Sequence, residues 1–142
     1  MTAIEQAGIA PATTSPTAAE RAALEACVRD YYESWYTGDR ERMARALHPA
    51  LAKRSFGQER PGTPMVEDIN AQQMIDGAAA GDGIADAGPK LDIHIAEVGG
   101  GIASVNVFAD HYVDLLHMIE TPDGWRIINA LWRYTDGHGP RA

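Results

Sequence analysis

The sequence predicts an α+β protein in which two or three helices pack on a strongly twisted antiparallel sheet. Apolar residues recur at helical spacing in the first half of the chain, and from Leu91 onward they alternate with polar residues at the period of a strand. Helices first and short-looped strands afterwards favour an antiparallel meander over a doubly wound parallel sheet. A chain of 142 residues, 45% of them hydrophobic, suffices for one domain with its own core.

The first two helices are predicted to form a hairpin. Thr17 and Glu20 have capping-box spacing at the start of the first helix, and Gly38 ends it. Asp39 can cap a second, shorter helix from about residue 40 to residue 47, where Pro49 stops regular winding.

A loop and a third helix are predicted next. Residues 51–64 carry Pro, Gly and mixed charges, which indicates a loop with at most a short extended piece at 53–56. Asn70 and Gln73 then have capping-box spacing, and the helix that they begin should end by Gly81.

Four strands complete the prediction. They are separated by a triple-glycine turn at 99–101 and a Pro-Asp-Gly turn at 122–124. Their predicted ranges are 91–98, 102–109, 112–120 and 125–134. Residues 1–16, rich in Ala, Thr and Pro, and residues 135–142 are predicted to be flexible tails, which leaves 17–134 as the domain.

Charge and cysteine content narrow the function classes. The formal net charge of -8 argues against binding to nucleic acid or to an anionic membrane surface. No segment approaches the roughly 18 apolar residues of a membrane span. Cys27 is the sole cysteine, so no intrachain disulfide can form, and we predict a cytoplasmic protein.

The last two predicted strands carry a family resemblance. The segment YVDLLHMIETPDGWRIINALW at 112–132 resembles the C-terminal part of the branch named "putative lumazine-binding" in the nuclear-transport-factor-2-like superfamily. LHPALAKR at 47–54 and DIHIAEVGGGIASVNVFADHYVD at 92–114 resemble the same branch, and the resemblance covers about 18–132. The triple-glycine turn and the run of alanines at 78–80 depart from that pattern.

The resemblance implies a cone, in which a curved antiparallel sheet wraps around a long N-terminal helix, with two shorter helices, and leaves an apolar cavity. Homodimers that form through the sheet are usual in this superfamily, which implies a homodimer here as well. No cofactor is implied. Relatives use this cone as isomerases, dehydratases, polyketide cyclases or inert binding modules, so the fold fixes a pocket without fixing its function.

Asp114 and His117 are the candidate catalytic residues. Three positions apart in a strand they point to opposite faces, so they cannot act as a dyad unless a bulge intervenes. Asp114 shares an apolar face that could raise its pKa for proton abstraction, and His117 could act as a general base. The alternatives are a carboxylate satisfied by a helix or a turn, and a structural or interface histidine.

Aromatic and polar residues supply the candidate ligand-binding set. Large aromatic side chains with polar tips can hold a flat ring ligand, although core packing explains them equally well. Tyr31 or Asn129 could steady an oxyanion, and Arg54 could anchor an acidic group or simply be solvated. The predicted ligand-binding residues are Tyr31, Trp35, Arg54, Asn129 and Trp132. Neither the His nor the Asp spacing matches a metal motif, so no metal site is predicted.

We therefore predict a pocket protein for an apolar, aromatic or carbonyl-bearing small molecule. One alternative is a cofactor-independent isomerase, dehydratase or cyclase, and another is a dimeric interaction module without pocket chemistry. An enzyme should show a solvent-connected cavity in which a carboxylate or imidazole lies within hydrogen-bond reach of a second polar group, whereas an interaction module should show a filled cone.

Overall fold

The computed structural model describes residues 15–56 and 66–135, and the predicted tails at 1–14 and 136–142 lie outside them. The helices are α1 (Ala18–Thr37), α2 (Arg40–Ala46), α3 (Ala71–Ala79) and a short 3-10 helix (Ile84–Asp86). The strands are β1 (Leu47–Phe56), β2 (Val66–Ile69), β3 (Leu91–Gly99), β4 (Ile102–Ala109), β5 (Tyr112–Thr121) and β6 (Gly124–Tyr134).

The predicted cap of α1 is confirmed at both ends. Thr17 Oγ1 accepts from the Glu20 amide at 3.0 Å, and the Glu20 carboxylate accepts from the Thr17 amide at 2.9 Å. Gly38 follows with a positive φ of 79°, a conformation that favours glycine, and its amide donates to the Ser34 carbonyl. The helix thus begins and ends at the residues that the sequence indicates.

The caps of α2 and α3 are confirmed as well. Asp39 accepts from the Arg42 amide at 3.0 Å, so the turn from α1 to α2 is closed by its side chain. Asn70 and Gln73 form a second reciprocal capping box, with distances of 2.8 and 2.9 Å. These local bonds satisfy backbone amides at the start of each helix, which would otherwise lack a partner within the helix.

A six-stranded curved and unclosed sheet packs with the helices, which confirms the α+β class. The strand order is β2-β1-β6-β5-β4-β3, and every neighbouring pair is antiparallel except β1 and β6. The four predicted strands form the expected meander from β3 to β6. The parallel pairing of β1 with β6 makes the sheet mixed.

The extended piece predicted at 53–56 is confirmed and the loop prediction is wrong for residues 51 and 52, since the first six residues of the segment 51–64 form a strand. They belong to β1, which pairs with β6 through Ala52 and Asn129 and the following three positions, and with β2 from Lys53 to Phe56. Strand formation here depends on partners far along the chain, because β6 lies more than seventy residues away in sequence. The rest of that predicted loop, residues 57–65, lies outside the described residues.

The two faces of the sheet differ in their surroundings. Leu24, Val28 and Tyr32 of α1 are buried in a core with alternate residues of the strands, among them Val107 and Leu116. The opposite face is exposed and carries three large apolar side chains with 45–64% of their surface accessible: Ile102, Leu115 and Leu131. In the described part of the chain, no helix is both long and apolar enough to cross a membrane.

Candidate functional site

A cavity of about 170 Å³ lies between α1 and the inner face of the sheet and is partly open to solvent. Most of its wall is aromatic, and the two charged groups in it are a lysine and an aspartate. It is lined by Tyr31, Tyr32, Trp35, Lys53, Ile69, Met74, Tyr112, Asp114, Trp132 and Tyr134. An apolar cavity of roughly 150 Å³ suffices for one benzene ring, so this pocket suits a ligand of similar size.

Strand register brings four of these side chains together. Asp114 of β5 is paired with Trp132 of β6, and Tyr112 is paired with Tyr134. Residues two apart in a strand share a face, so both pairs face the cavity. The Trp132 ring contacts Tyr112 and Tyr134 edge to face, with centroids 5.5 and 5.0 Å apart.

Lys53 extends into the wall of the cavity from β1, the strand that pairs with β6. Its side chain is buried, and Nζ donates a hydrogen bond to the Tyr31 hydroxyl. Nζ also lies 5.0 Å from the centroid of the Tyr31 ring and 5.4 Å from that of Trp132, within cation–π range. Burial lowers the pKa of the Lys53 ammonium, and the negative charge of Asp114 partly opposes that shift.

Asp114 is buried and only half satisfied. Its Oδ2 accepts a hydrogen bond from the Tyr32 hydroxyl, whereas Oδ1 has no hydrogen-bond partner among the described residues. Burial, followed by the charge of Asp114, raises the pKa values of Tyr31 and Tyr32 well above the usual value of a phenol. Both hydroxyls therefore remain protonated donors at neutral pH.

Two further polar groups shape the site. The indole Nε1 of Trp132 is buried and, like Asp114 Oδ1, lacks a hydrogen-bond partner within the described ranges. The Tyr112 hydroxyl, also in the wall of the pocket, donates to Asp86. An unpaired buried donor and an unpaired buried acceptor each cost free energy that a ligand could recover.

The structure brings four of the predicted site residues into one pocket: Tyr31, Trp35, Asp114 and Trp132. His117 and Asn129 are instead neighbours on the exposed face of the sheet, where Asn129 Nδ2 lies 3.3 Å from His117 Nδ1. Arg54 is also exposed, and its Nε lies 3.5 Å from Asp68. The structure thus separates Asp114 from His117, as their three-residue spacing predicts.

Six residues that line the pocket are absent from the predicted site set: Tyr32, Lys53, Ile69, Met74, Tyr112 and Tyr134. Lys53 is the one among them that carries a charged group. Interpreted as part of a loop, a lysine is expected to be solvated. The available signal was the alternation of β1, in which Leu51, Lys53 and Ser55 are all buried. A strand interpretation of these residues would have placed Lys53 on the same face as Leu51.

The donor set of the pocket suits an organic ligand better than a metal ion. In the described ranges, no three His, Cys, Asp or Glu side chains meet in an arrangement that could hold a metal. Amine, phenol and indole donors beside a carboxylate oxygen fit the polar edge of a ring with both N–H and C=O groups.

The family assignment rests on a sequence model. The family described as "Putative lumazine-binding" matches residues 19–133, which is most of the chain and includes every residue that lines the cavity except Tyr134. The chain belongs to this family. No match was found among curated proteins.

Solved structures confirm the nuclear-transport-factor-2-like fold. An NTF2-like protein of unknown function from Silicibacter pomeroyi DSS-3 matches 85% of this chain and 100% of its own, with a TM-score of 0.65 and 23% identity. A second, from Shewanella baltica OS155, has a TM-score of 0.62 and 12% identity over 87% of this chain and 100% of its own. A "putative dehydratase" of the NTF2-like family from Streptomyces avermitilis has a TM-score of 0.54 and 18% identity over 80% of this chain and 94% of its own. At these identities the likeness concerns the fold alone.

Proposed function

We propose that this protein binds a small, flat, carbonyl-bearing molecule in the cavity between α1 and the sheet. The observation that carries the proposal is the pair of unpartnered polar atoms, Asp114 Oδ1 and Trp132 Nε1, inside an aromatic pocket. A ring with an N–H beside a C=O satisfies both, since the carboxylate accepts and the indole donates. The family's description, which names lumazine, supports a ligand of this type.

The cavity also helps to distinguish between the two alternative functions, an interaction module and an acid/base enzyme. A pure interaction module needs no pocket, so a partly open cavity with polar groups in its wall counts against it. An acid/base enzyme stays a second candidate, because the free oxygen of Asp114 could take a proton from carbon next to a carbonyl while Tyr31 or Lys53 donates to the oxyanion. Exchange of that proton for deuterium in D₂O would distinguish turnover from binding.

Binding is tested first on freshly purified protein. Native mass spectrometry should show a copurifying ligand, or a thermal-shift screen with lumazine and one-ring aromatic aldehydes and ketones should identify one. If no ligand copurifies and no compound raises the melting temperature, the proposal fails.

Trp132→Phe tests the site itself. It keeps an aromatic ring but removes the indole N–H, so affinity for a carbonyl ligand should fall about tenfold, or about 1.4 kcal/mol. Trp125→Phe is the matched control, because Trp125 is buried in the same strand but does not line the cavity. Equal affinities of the two variants, measured by calorimetry, would exclude Trp132 from the site.

We also propose that two copies pair through the exposed face of the sheet. Leu115 and Leu131 lie opposite each other in neighbouring strands and are 45% and 54% exposed. A groove of about 650 Å³ on the same face is lined by Ile102, His117 and Asn129, among others. Exposed apolar side chains grouped on one face are typical of an interface, and a second copy would cover them.

We further propose a cytoplasmic location. Cys27 is the sole cysteine, and it is buried as a free thiol with Sγ 3.4 Å from the Ala46 carbonyl oxygen. Burial, followed by the nearby Asp30, raises its pKa to about 12, so the thiol stays protonated. A fold that requires no disulfide suits a reducing compartment.

A further inference from the structure

Lys53 has surroundings that suit a reactive amine rather than a structural cation. Its side chain is only 8% exposed, and its neighbours in the cavity are the rings of Tyr31 and Trp132. The one hydrogen bond that it makes to a described residue is to the Tyr31 hydroxyl, and no described carboxylate lies within ion-pair distance of Nζ. A buried ammonium without a contacting carboxylate is costly, whereas a neutral amine tolerates this position.

The electrostatics of the pocket favour that neutral form. Burial lowers the pKa of Lys53, so a larger fraction of free amine exists at neutral pH than for an exposed lysine. Tyr31 has a raised pKa and keeps its proton, so its hydroxyl is a donor beside the amine. The pocket therefore holds a nucleophile and a proton donor together.

We propose that Lys53 Nζ forms an imine with an aldehyde or ketone bound in the cavity, an inference that rests on the proposed function. The nitrogen lone pair attacks the carbonyl carbon, a C–N bond forms, the C=O π electrons move to oxygen, and one N–H proton passes from nitrogen to that oxygen through the Tyr31 hydroxyl. In the resulting carbinolamine the nitrogen lone pair then forms C=N as the C–O bond breaks, and the departing hydroxide takes the second N–H proton and leaves as water. Amine and carbonyl thus give imine and water without any change in oxidation state.

Two neighbours support these steps. The Tyr31 hydroxyl, hydrogen-bonded to Nζ, can donate to the carbonyl oxygen and then to the departing water. Asp114 shares the cavity, and its negative charge favours the protonated, cationic imine over the neutral one. The cavity volume of about 170 Å³ restricts the carbonyl compound to about one ring.

The sequence provides an internal control, because Lys53 and Lys90 are its only lysines and Lys90 is exposed. The full-length protein is incubated with benzaldehyde and sodium cyanoborohydride, which reduces an imine to a stable benzyl amine. Intact-mass and peptide mass spectrometry then give the labelling rate at each lysine. We expect labelling at Lys53 to exceed that at Lys90 about tenfold or more, because burial lowers the pKa of Lys53 and leaves more of its amine free to react.

Matched variants and unfolded protein separate the pocket from ordinary lysine chemistry. Lys53→Arg retains a cation without a nucleophilic amine and should lose the pocket label, whereas Lys90→Arg should keep it. In concentrated urea the two lysines of the wild-type chain should label at similar rates, because the cavity is gone. The comparison within one wild-type molecule holds even if a variant fails to fold.

Benzyl alcohol distinguishes failure of the imine from failure of the pocket. It has the same ring but no carbonyl, and its binding is followed by thermal shift. If benzyl alcohol binds while benzaldehyde labels Lys53 no faster than Lys90, the imine inference is overturned and the proposed pocket stands. If neither compound binds or labels Lys53, the inference is overturned and the pocket proposal loses support for one-ring ligands.

Discussion

At the scale of single residues, the pocket is defined by a lysine and an aspartate that share a cavity without touching. Asp114 is held by Tyr32 and Lys53 by Tyr31, two adjacent residues of α1. The carboxylate and the amine influence each other at longer range, since the charge of Asp114 acts on the pKa of Lys53. A space between an amine and a carboxylate with free hydrogen-bonding capacity is suited to a polar ligand that contacts both.

Lys53→Met tests the protonation state of this amine through stability. Because the pKa of Lys53 is lower in the folded protein than the usual value of 10.5, the unfolded chain binds more protons in the interval between the two values. The free energy of unfolding of the wild-type protein should therefore increase as pH rises through that interval. The variant, which has no amine at this position, should lack this increase. Urea unfolding of both proteins between about pH 7 and pH 9.5 should show wild type gaining relative to Lys53→Met.

Arg54→Met, at an exposed position beside Lys53, is the control and should show no such trend. A stability difference between wild type and Lys53→Met that stays constant over this pH range would show that the lysine is an ordinary cation in the folded state. The test depends on how the stability difference changes with pH and not on its size, because loss of the hydrogen bond to Tyr31 lowers the stability of the variant by the same amount at every pH in the range.

Residue types alone identified part of the site. Tyr31, Trp35, Asp114 and Trp132 were predictable, because aromatic residues and a carboxylate on the apolar side of amphipathic elements must face the interior. His117 and Asn129 are polar residues in apolar strands. The register of the strands determines which face of the sheet these residues lie on, and a single sequence predicts that register poorly. The position of Lys53 in the pocket cannot be predicted as long as its segment is interpreted as a loop.

At the scale of elements, local signals determined what the sequence could predict. Helix boundaries follow from capping residues, and strands β3 to β6 follow from alternation and glycine turns. Strand β1 has weaker signals, since Pro49 interrupts it and its pairing with β6 shifts register between Leu47 and Ala52. Its conformation depends on tertiary pairing with a distant strand, which local patterns do not report.

Gly83, just before the 3-10 helix, allows α1 to lie close to the loop after α3. A β-carbon there would collide with the Trp35 ring and the Trp35 carbonyl oxygen, although the backbone of Gly83 has an ordinary negative φ of -97°. Gly83→Ala should therefore destabilise the protein by about 2 kcal/mol through overpacking. Because Trp35 lines the cavity, ligand affinity should fall too.

Gly99→Ala is the matched control, since a β-carbon there meets nothing within 4 Å. It should leave the melting temperature unchanged, and it should change the free energies of unfolding and of ligand binding by no more than about 0.5 kcal/mol. Thermal unfolding and binding of the two variants are compared side by side. Equal stabilities would mean that Trp35 moves aside without cost, contrary to the close packing described for Gly83.

At the scale of the whole molecule, the sheet separates two surfaces of different composition. Its inner face and α1 enclose the pocket, while its outer face presents Ile102, Leu115 and Leu131. Pairing of two copies through the outer face would bury these side chains and leave both pockets free, because each pocket lies on the other side of its own sheet. Ligand binding and assembly are then independent properties, and substitutions can separate them.

Leu131→Glu should convert the proposed dimer to a monomer, since it places a charged side chain in the proposed interface and removes apolar surface from it. The matched control is Ile84→Glu, an equally exposed apolar residue on the 3-10 helix, away from the outer face. Sedimentation equilibrium at micromolar concentrations should give twice the chain mass for wild type and Ile84→Glu, and the single-chain mass for Leu131→Glu, with ligand affinity equal in all three. A monomeric wild type, or a Leu131→Glu variant that still pairs, would show that the outer face has another role.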